Sequence, residues 1–244
     1  DIFNLLLDRI DNLHTTVKNI ELRKREAELT ALNSQVNPHF LYNTLESIRM
    51  MAIIEDKPAI GQAVESLADL FRYSIKQQHD IVPIAYEIKH AKNYLDLQQL
   101  RFGKMINVIW DIDQNLCEYK CIKFILQPLV ENAIIHGMRN YRGIFNITIG
   151  LKEDNDSVIL IVSDNGVGMT EDELLRIDNR LKSDSVSAKK DGLGIKNIHE
   201  RLVLYFGHGL EIDSKKNIGT TVSIRIPKFK NAEEVENIVF NMYR

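Results

Sequence analysis

Three short segments carry side chains whose types and spacing suit the handling of a nucleotide: QPLVENAIIHG (Gln127–Gly137), DNGVGM (Asp164–Met169) and GLGIKN (Gly192–Asn197). In the first, Leu129, Val130, Ala133 and Ile134 recur at helical spacing and face a core, which leaves Asn132 on another side. One amide oxygen is sufficient protein coordination for magnesium, which keeps several waters and takes its other oxygens from phosphates. In the second, an apolar strand (Val158–Val162) runs into Asp164, whose carboxylate can accept a hydrogen bond from the exocyclic amine of adenine, where guanine presents an oxygen. Gly166 and Gly168 are expected to take positive φ and to let the backbone approach a flat ring. In the third, Gly192 and Gly194 open a helix whose unpaired N–H groups and partial positive charge suit phosphates. The expected ligands are ATP and Mg2+.

Taken singly, DNG is a common turn, a helical Asn is ordinary polar surface and GLG is a weak signal. Their order, closed by a glycine-led strand GTTVSIRIP (Gly219–Pro227), makes the nucleotide reading the stronger one. The chain resembles the ATP-binding domain shared by histidine kinases, gyrase, Hsp90 and MutL, and within that group it is similar to the LytS/YesM-like sensor histidine kinases. The resemblance spans roughly residues 30 to 228 and adds Thr220, at the start of the closing strand, to the nucleotide-contacting set.

It rests most firmly on QVNPHFLYNTLESI (Gln35–Ile48). Read locally, Asn37 caps a helix, Pro38 takes its first position and His39 is an exposed first-turn residue. The resemblance implies instead that His39 accepts a phosphoryl group, on a helix that passes through Pro38 and bends where the Ser34 carbonyl loses its partner. Leu41, Leu45, Ile48 and Ala52 share one face, and His39 falls on roughly the opposite side. An imidazole with an unperturbed pKa of about 6.5 is largely neutral at pH 7 and keeps a lone pair for attack on phosphorus.

The family pattern is not matched everywhere. The residue after His39, acidic in many histidine kinases, is Phe40, so the general base is unassigned; Asn43, one turn on, is placed to bond the imidazole, and Glu131 is a candidate acid beside Asn132. Ile135 stands where related kinases often carry Lys, which leaves phosphate charge to Mg2+, helix-end amides, His136, Arg139 or Lys196. Pro128 replaces the water-activating Glu of gyrase-type ATPases, which argues against simple hydrolysis. Two rival functions remain, an ATP-driven conformational switch of the gyrase and Hsp90 type and a dimeric nucleotide-binding scaffold.

With 44% hydrophobic and 27% charged residues the chain has ordinary globular usage, and 31 basic against 34 acidic side chains, net −3, gives no nucleic-acid groove. Cys117 and Cys121 are too few for a disulfide scaffold or a four-ligand zinc site. No apolar run approaches the roughly 18 residues of a membrane span. The first residue is Asp rather than Met, so the chain is read as a cut fragment. The resemblance implies that a missing N-terminal region holds membrane helices, which makes these residues the cytoplasmic part of a cell-membrane sensor.

Around these motifs the patterning predicts an α+β protein. Residues 1–30 form a signalling helix with a short coiled-coil seam (Leu6, Ile10, Leu13, Val17, Ile20). Residues 31–82 form a helical hairpin that buries its apolar faces by pairing with a second copy in a four-helix bundle, so a homodimer is expected. Residues 83–228 form a catalytic ATP-binding domain, a two-layer α/β sandwich with strands near 106–112, 144–151, 157–163, 209–214 and 219–226 and helices near 120–137, 171–181 and 193–205. The charged, Ser-rich stretch between Met169 and Asp191 reads either as a lid over ATP or as plain surface loop. Residues 229–244 form an amphipathic extension (Val235, Ile238, Val239, Met242). Transfer of the phosphoryl group from His39 to an Asp of a response regulator is implied by resemblance alone.

Overall fold

The computed structural model describes residues 38–75, 80–139, 141–182, 193–231 and 234–235. The expected N-terminal helix, the bend at Ser34, Gly192, and Ile238, Val239 and Met242 lie outside the described residues. The chain divides into two compact units that meet at Val64 and Glu65.

In the first unit, helix α1 (Pro38–Ile54) ends where Asp56 takes φ 52° and the Lys57 N–H reaches back to the Ala52 carbonyl at 2.8 Å. This is the six-to-one bond of a left-handed helix stop. Helix α2 (Pro58–Ile75) then starts on a proline, which forfeits nothing at a first helical position, and runs on into the second unit. Ala52 is buried, whereas Ile48, Met51 and Ile54 are exposed.

The second unit adds strand β1 (Ile81–Pro83), helix α3 (Ile84–Phe102), β2 (Ile106–Ile112), β3 (Lys120–Ile122) and helix α4 (Leu126–Asn132), which widens into one π turn over Ala133–Gly137. There follow β4 (Phe145–Asp154), β5 (Ser157–Asp164), helices α5 (Glu171–Lys182) and α6 (Leu193–Phe206), β6 (Glu211–Lys215) and β7 (Gly219–Pro227). The five-stranded sheet has the order β2-β4-β5-β7-β6, with β2 and β4 parallel and every other pair antiparallel. Alternate residues point inward, so Val158, Leu160 and Val162 of β5 and Val222, Ile224 and Ile226 of β7 meet Leu129, Val130, Ile198 and Leu202 from the helical layer. Helix α3 closes on Gly103, at φ 59°, whose N–H returns to the Gln99 carbonyl.

One expectation needs correction. The helix predicted over 120–137 begins only at Leu126. Lys120–Ile122 instead pairs antiparallel with Ile81–Pro83, and Phe124 at φ 60° breaks the path before α4 begins. The reason is long-range: the Glu87 carboxylate captures the backbone N–H groups of Phe124, Ile125 and Leu126 and so dictates where the helix starts. Pro128, inside the first turn of the shortened helix, then breaks no helical hydrogen bond. The helix predicted over 171–181 is present as α5, Glu171–Lys182. Thr170 and Glu173 form a reciprocal capping box at the start of α5, and Leu181 is buried.

Candidate functional site

Of the residues expected to contact nucleotide, Asn132, His136, Asp164, Gly168, Lys196 and Thr220 line one cavity of about 350 Å3 in the second unit, whereas Gly166 and Gly194 do not. Helix α4 and its π turn contribute Leu129, Asn132, Ala133 and His136; β5 and its loop contribute Val162, Asp164, Gly168 and Met169; α6 and β7 contribute Lys196 and Thr220. Apolar side chains from four directions, Leu129, Val162, Ile177 and Val222, supply walls for a flat ring.

Asp164 is fixed by the sheet. It pairs with Thr220 across β5 and β7, and its Oδ1 accepts the Gly166 N–H at 2.8 Å. Burial pushes its carboxyl above the usual carboxylate range, against the opposing pull of the Gly166 and Thr220 N–H groups. A partly buried acceptor with a directed donor set is suited to read the amine of a base. Thr220 also joins its hydroxyl to Ser214 at 2.9 Å.

The glycines of this loop have a different reason from the one expected. Gly168 has the foreseen positive φ, 55°, but Gly166 does not. A Cβ on Gly166 would strike the Gly137 backbone and one on Gly168 the Lys215 carbonyl, so both glycines let chain segments of the protein meet one another. Hydrogen bonds from Val167 to Gly137 and from Asn217 to Val167 draw the same segments together.

Asn132 lines the cavity with its amide nitrogen turned back to the Pro128 carbonyl at 2.6 Å. Its oxygen is therefore the end available to a cation. A Cβ on Gly194 would lie 3.6 Å from that amide nitrogen, which seats the first turn of α6 beside Asn132. Gly194 does not itself line the cavity; Ile195 and Lys196 of the same turn do, and Lys196 lies 3.6 Å from Glu200.

Some expected residues lie elsewhere. Glu131 does not line the cavity; it accepts the Gln127 amide at 2.6 Å. Its charge and burial hold the Tyr94 phenol up at about 12, burial being the larger cause. Arg139 is exposed and outside the lining set. Sequence reasoning missed Glu173, Arg180 and Lys216, three charged lining residues delivered by α5 and by the turn between β6 and β7. Their positions in the sequence carry no pattern distinguishing them from other surface charges.

His39 and Asn43 belong to the first unit. His39 is exposed, and the Asn43 amide approaches its Nδ1 at 3.3 Å.

An Asn-bearing helix, a carboxylate at a strand end and a glycine loop gathered over a mixed five-stranded sheet define the ATP-binding sandwich of the histidine kinase, gyrase and Hsp90 group. Residues 119–230 match the family model described as Histidine kinase-, DNA gyrase B-, and HSP90-like ATPase, and residues 27–106 match the Histidine kinase model. The chain is 37% identical over 227 residues to sensor histidine kinase YesM of Bacillus subtilis, covering 92% of this chain and 37% of that protein. It is 31% identical over 224 residues to sensor protein kinase HptS of Staphylococcus aureus, covering 91% of this chain and 42% of that protein. The chain is homologous to these sensor histidine kinases and holds both a histidine kinase region and an ATP-binding region of the histidine kinase, gyrase and Hsp90 group. It spans under half the length of these two relatives. Among solved structures it is similar to the histidine kinase domain of the Erythrobacter litoralis EL346 blue-light activated kinase, at 17% identity and a TM-score of 0.47 over 84% of this chain and 98% of that one. No helix among the described residues is long and apolar enough to cross a membrane.

Proposed function

We propose that the chain is the kinase core of a two-component sensor, which transfers the γ-phosphoryl group of ATP to His39 and from there to an Asp of a response regulator. The observation that carries this reading is the pairing, in one cavity, of Asp164 at the end of a strand with Asn132 on the facing helix. Asp164 takes the adenine amine. Asn132 and phosphate oxygens hold Mg2+, which offsets charge on the phosphates. His136, Lys196 and the backbone amides of Gly192 and Gly194 meet the remaining phosphate charge in this reading. Such catalysis is mostly positioning and electrostatics, which suits a site short of acid–base groups.

At the acceptor, the Asn43 amide can present either end to the ring. With its oxygen toward Nδ1–H, Nε2 keeps the lone pair that attacks phosphorus. The N–P bond forms as the bond to the β-phosphate oxygen breaks, ADP leaves, and the ring proton passes to solvent. Glu131, outside the cavity and bonded to Gln127, takes no proton in this reading. Two copies pair through their helical hairpins, and a region N-terminal to this chain anchors the sensor at the membrane, with residues 31–82 and 83–228 as the phosphotransfer and catalytic parts.

Incubation with γ-labelled ATP tests the proposal. Label on wild-type protein that is lost in acid, stable in base and absent from His39→Gln is expected, and Asn132→Ala is expected to lower labelling by at least about a hundredfold while leaving the dimer intact. Phosphate release without labelled protein would point to the gyrase-type switch, and neither label nor phosphate to a scaffold.

A further inference from the structure

The helix that carries Asn132 is held at its start by a side chain from another helix. Glu87, on α3, is fully buried, and its carboxylate accepts the N–H groups of Phe124 at 2.7 Å, Ile125 at 2.9 Å and Leu126 at 3.0 Å. These are donors that the first turn of α4 cannot satisfy within itself, and the acceptor is negative where the helix dipole is positive. A fourth donor comes from α2: the Tyr73 hydroxyl reaches Glu87 at 2.5 Å. Burial, with the Glu87 charge added, pushes the Tyr73 phenol far above its ordinary range, so it stays a donor across physiological pH.

The contacts continue along the other flank. Tyr73 packs on the His90 ring at 4.3 Å and edge-on to Phe124 at 5.2 Å. His90 Nε2 meets the Gln127 amide oxygen, and the Gln127 nitrogen donates to Glu131 at 2.6 Å. A continuous set of side chains thus runs from α2 across α3 to both the start of α4 and the residue preceding Asn132. Asp164 stands apart from this set, because strand pairing with β4 and β7 fixes it.

We propose that Glu87 is a positioning residue of the nucleotide site: it sets the placement of α4, and hence of the Asn132 oxygen, and Tyr73 ties that placement to the end of α2. The inference rests on the reading of Asn132 as the Mg2+ residue and predicts a selective defect. Displacing α4 moves Asn132 but leaves Asp164, so the affinity gained from magnesium falls while the affinity for the base is kept.

The experiment is calorimetric titration of the 244-residue chain with adenosine, and with the β,γ-imido analogue of ATP in the presence and absence of Mg2+. Glu87→Gln, which keeps size and removes the charge, is expected to reduce the magnesium-dependent gain by about tenfold, the scale of effects that act through a ligand residue, with adenosine affinity unchanged. Tyr73→Phe retains the ring packing, removes only the hydroxyl, and is expected to reduce the gain by about threefold, short of the range for groups that orient a ligand directly. It decides the question if Glu87→Gln does not fold. Wild-type protein with no magnesium-dependent gain would sink the Asn132 reading and this inference together. A wild-type gain retained in full by both variants would sink the inference alone, as would an equal loss for all three titrations, which marks general damage.

Discussion

At the scale of single residues, the proposed function places two demands, reading a base and holding a metal, on elements of the cavity with different anchors. In the proposed function Asp164 reads the base, and its carboxyl is held above the usual range by burial. A carboxyl raised in the folded state binds its proton more tightly than in the unfolded chain. Its contribution therefore favours the fold only in acid and is lost as pH rises through the folded value. Two outcomes are expected for Asp164→Asn. Ligand-free variant melts no lower than wild type at pH 7 in calorimetry, and its adenosine affinity drops about ten- to a hundredfold, the range for a hydrogen bond to a charged group. In wild type the same affinity should fall on acidification below pH 7, because protonation removes the charge and weakens the bond that the carboxyl accepts from the amine. Gly168 makes a steric prediction: Gly168→Ala forces a side chain into positive φ and toward the Lys215 carbonyl. The strained backbone alone costs about 1–3 kcal/mol, to be read as a lowered denaturation midpoint together with weaker nucleotide binding.

At the scale of elements, α4 and α5 show how short helices are stabilised by their ends. α4 is seven residues long, too short to persist alone, and depends on Glu87 at its start and on Leu129 and Val130 in the core. The π turn that follows carries His136 and ends at Gly137, where the Val167 N–H docks. Wide turns of this kind recur at functional sites because they displace a side chain from helical register. α5 depends on its Thr170–Glu173 box, so Thr170→Ala should cost about 1 kcal/mol, seen as faster amide exchange in Glu171–Lys182.

At the scale of the whole molecule, the first unit exposes apolar side chains that one copy does not cover. Ile48 is 41% exposed, Met51 56% and Ile54 76%. Full burial of a wholly exposed side chain of this kind contributes about 1.5–3 kcal/mol, and these partly exposed ones contribute correspondingly less, a gain that favours the proposed pairing of two hairpins. Ile48→Glu is expected to convert a dimer into a monomer in light-scattering measurements while adenosine affinity in the second unit stays the same. A dimer of unchanged affinity would place the pairing surface elsewhere.

Much of this was legible from local pattern. The five sheet strands and α6 lie within two or three residues of their predicted bounds, because alternation with period two and an apolar stripe near period 3.6 are properties of neighbouring residues. Asn132, His136, Asp164, Gly168, Lys196 and Thr220 line one cavity, whereas Gly166 and Gly194, named with them from the sequence, do not. Glu87 left one trace, a charged residue on the apolar stripe of Ile84, Ala91 and Leu95, but its partner N–H groups lie up to 39 residues further on. For the same reason only the folded chain decided that residues 120–125 make a strand and a turn, that Glu131 faces Gln127, and that Glu173, Arg180 and Lys216 reach the cavity. Periodicity reports which face of an element is apolar. Which elements share that face, and what stops each one, is settled by hydrogen bonds and close packing between residues far apart in the chain.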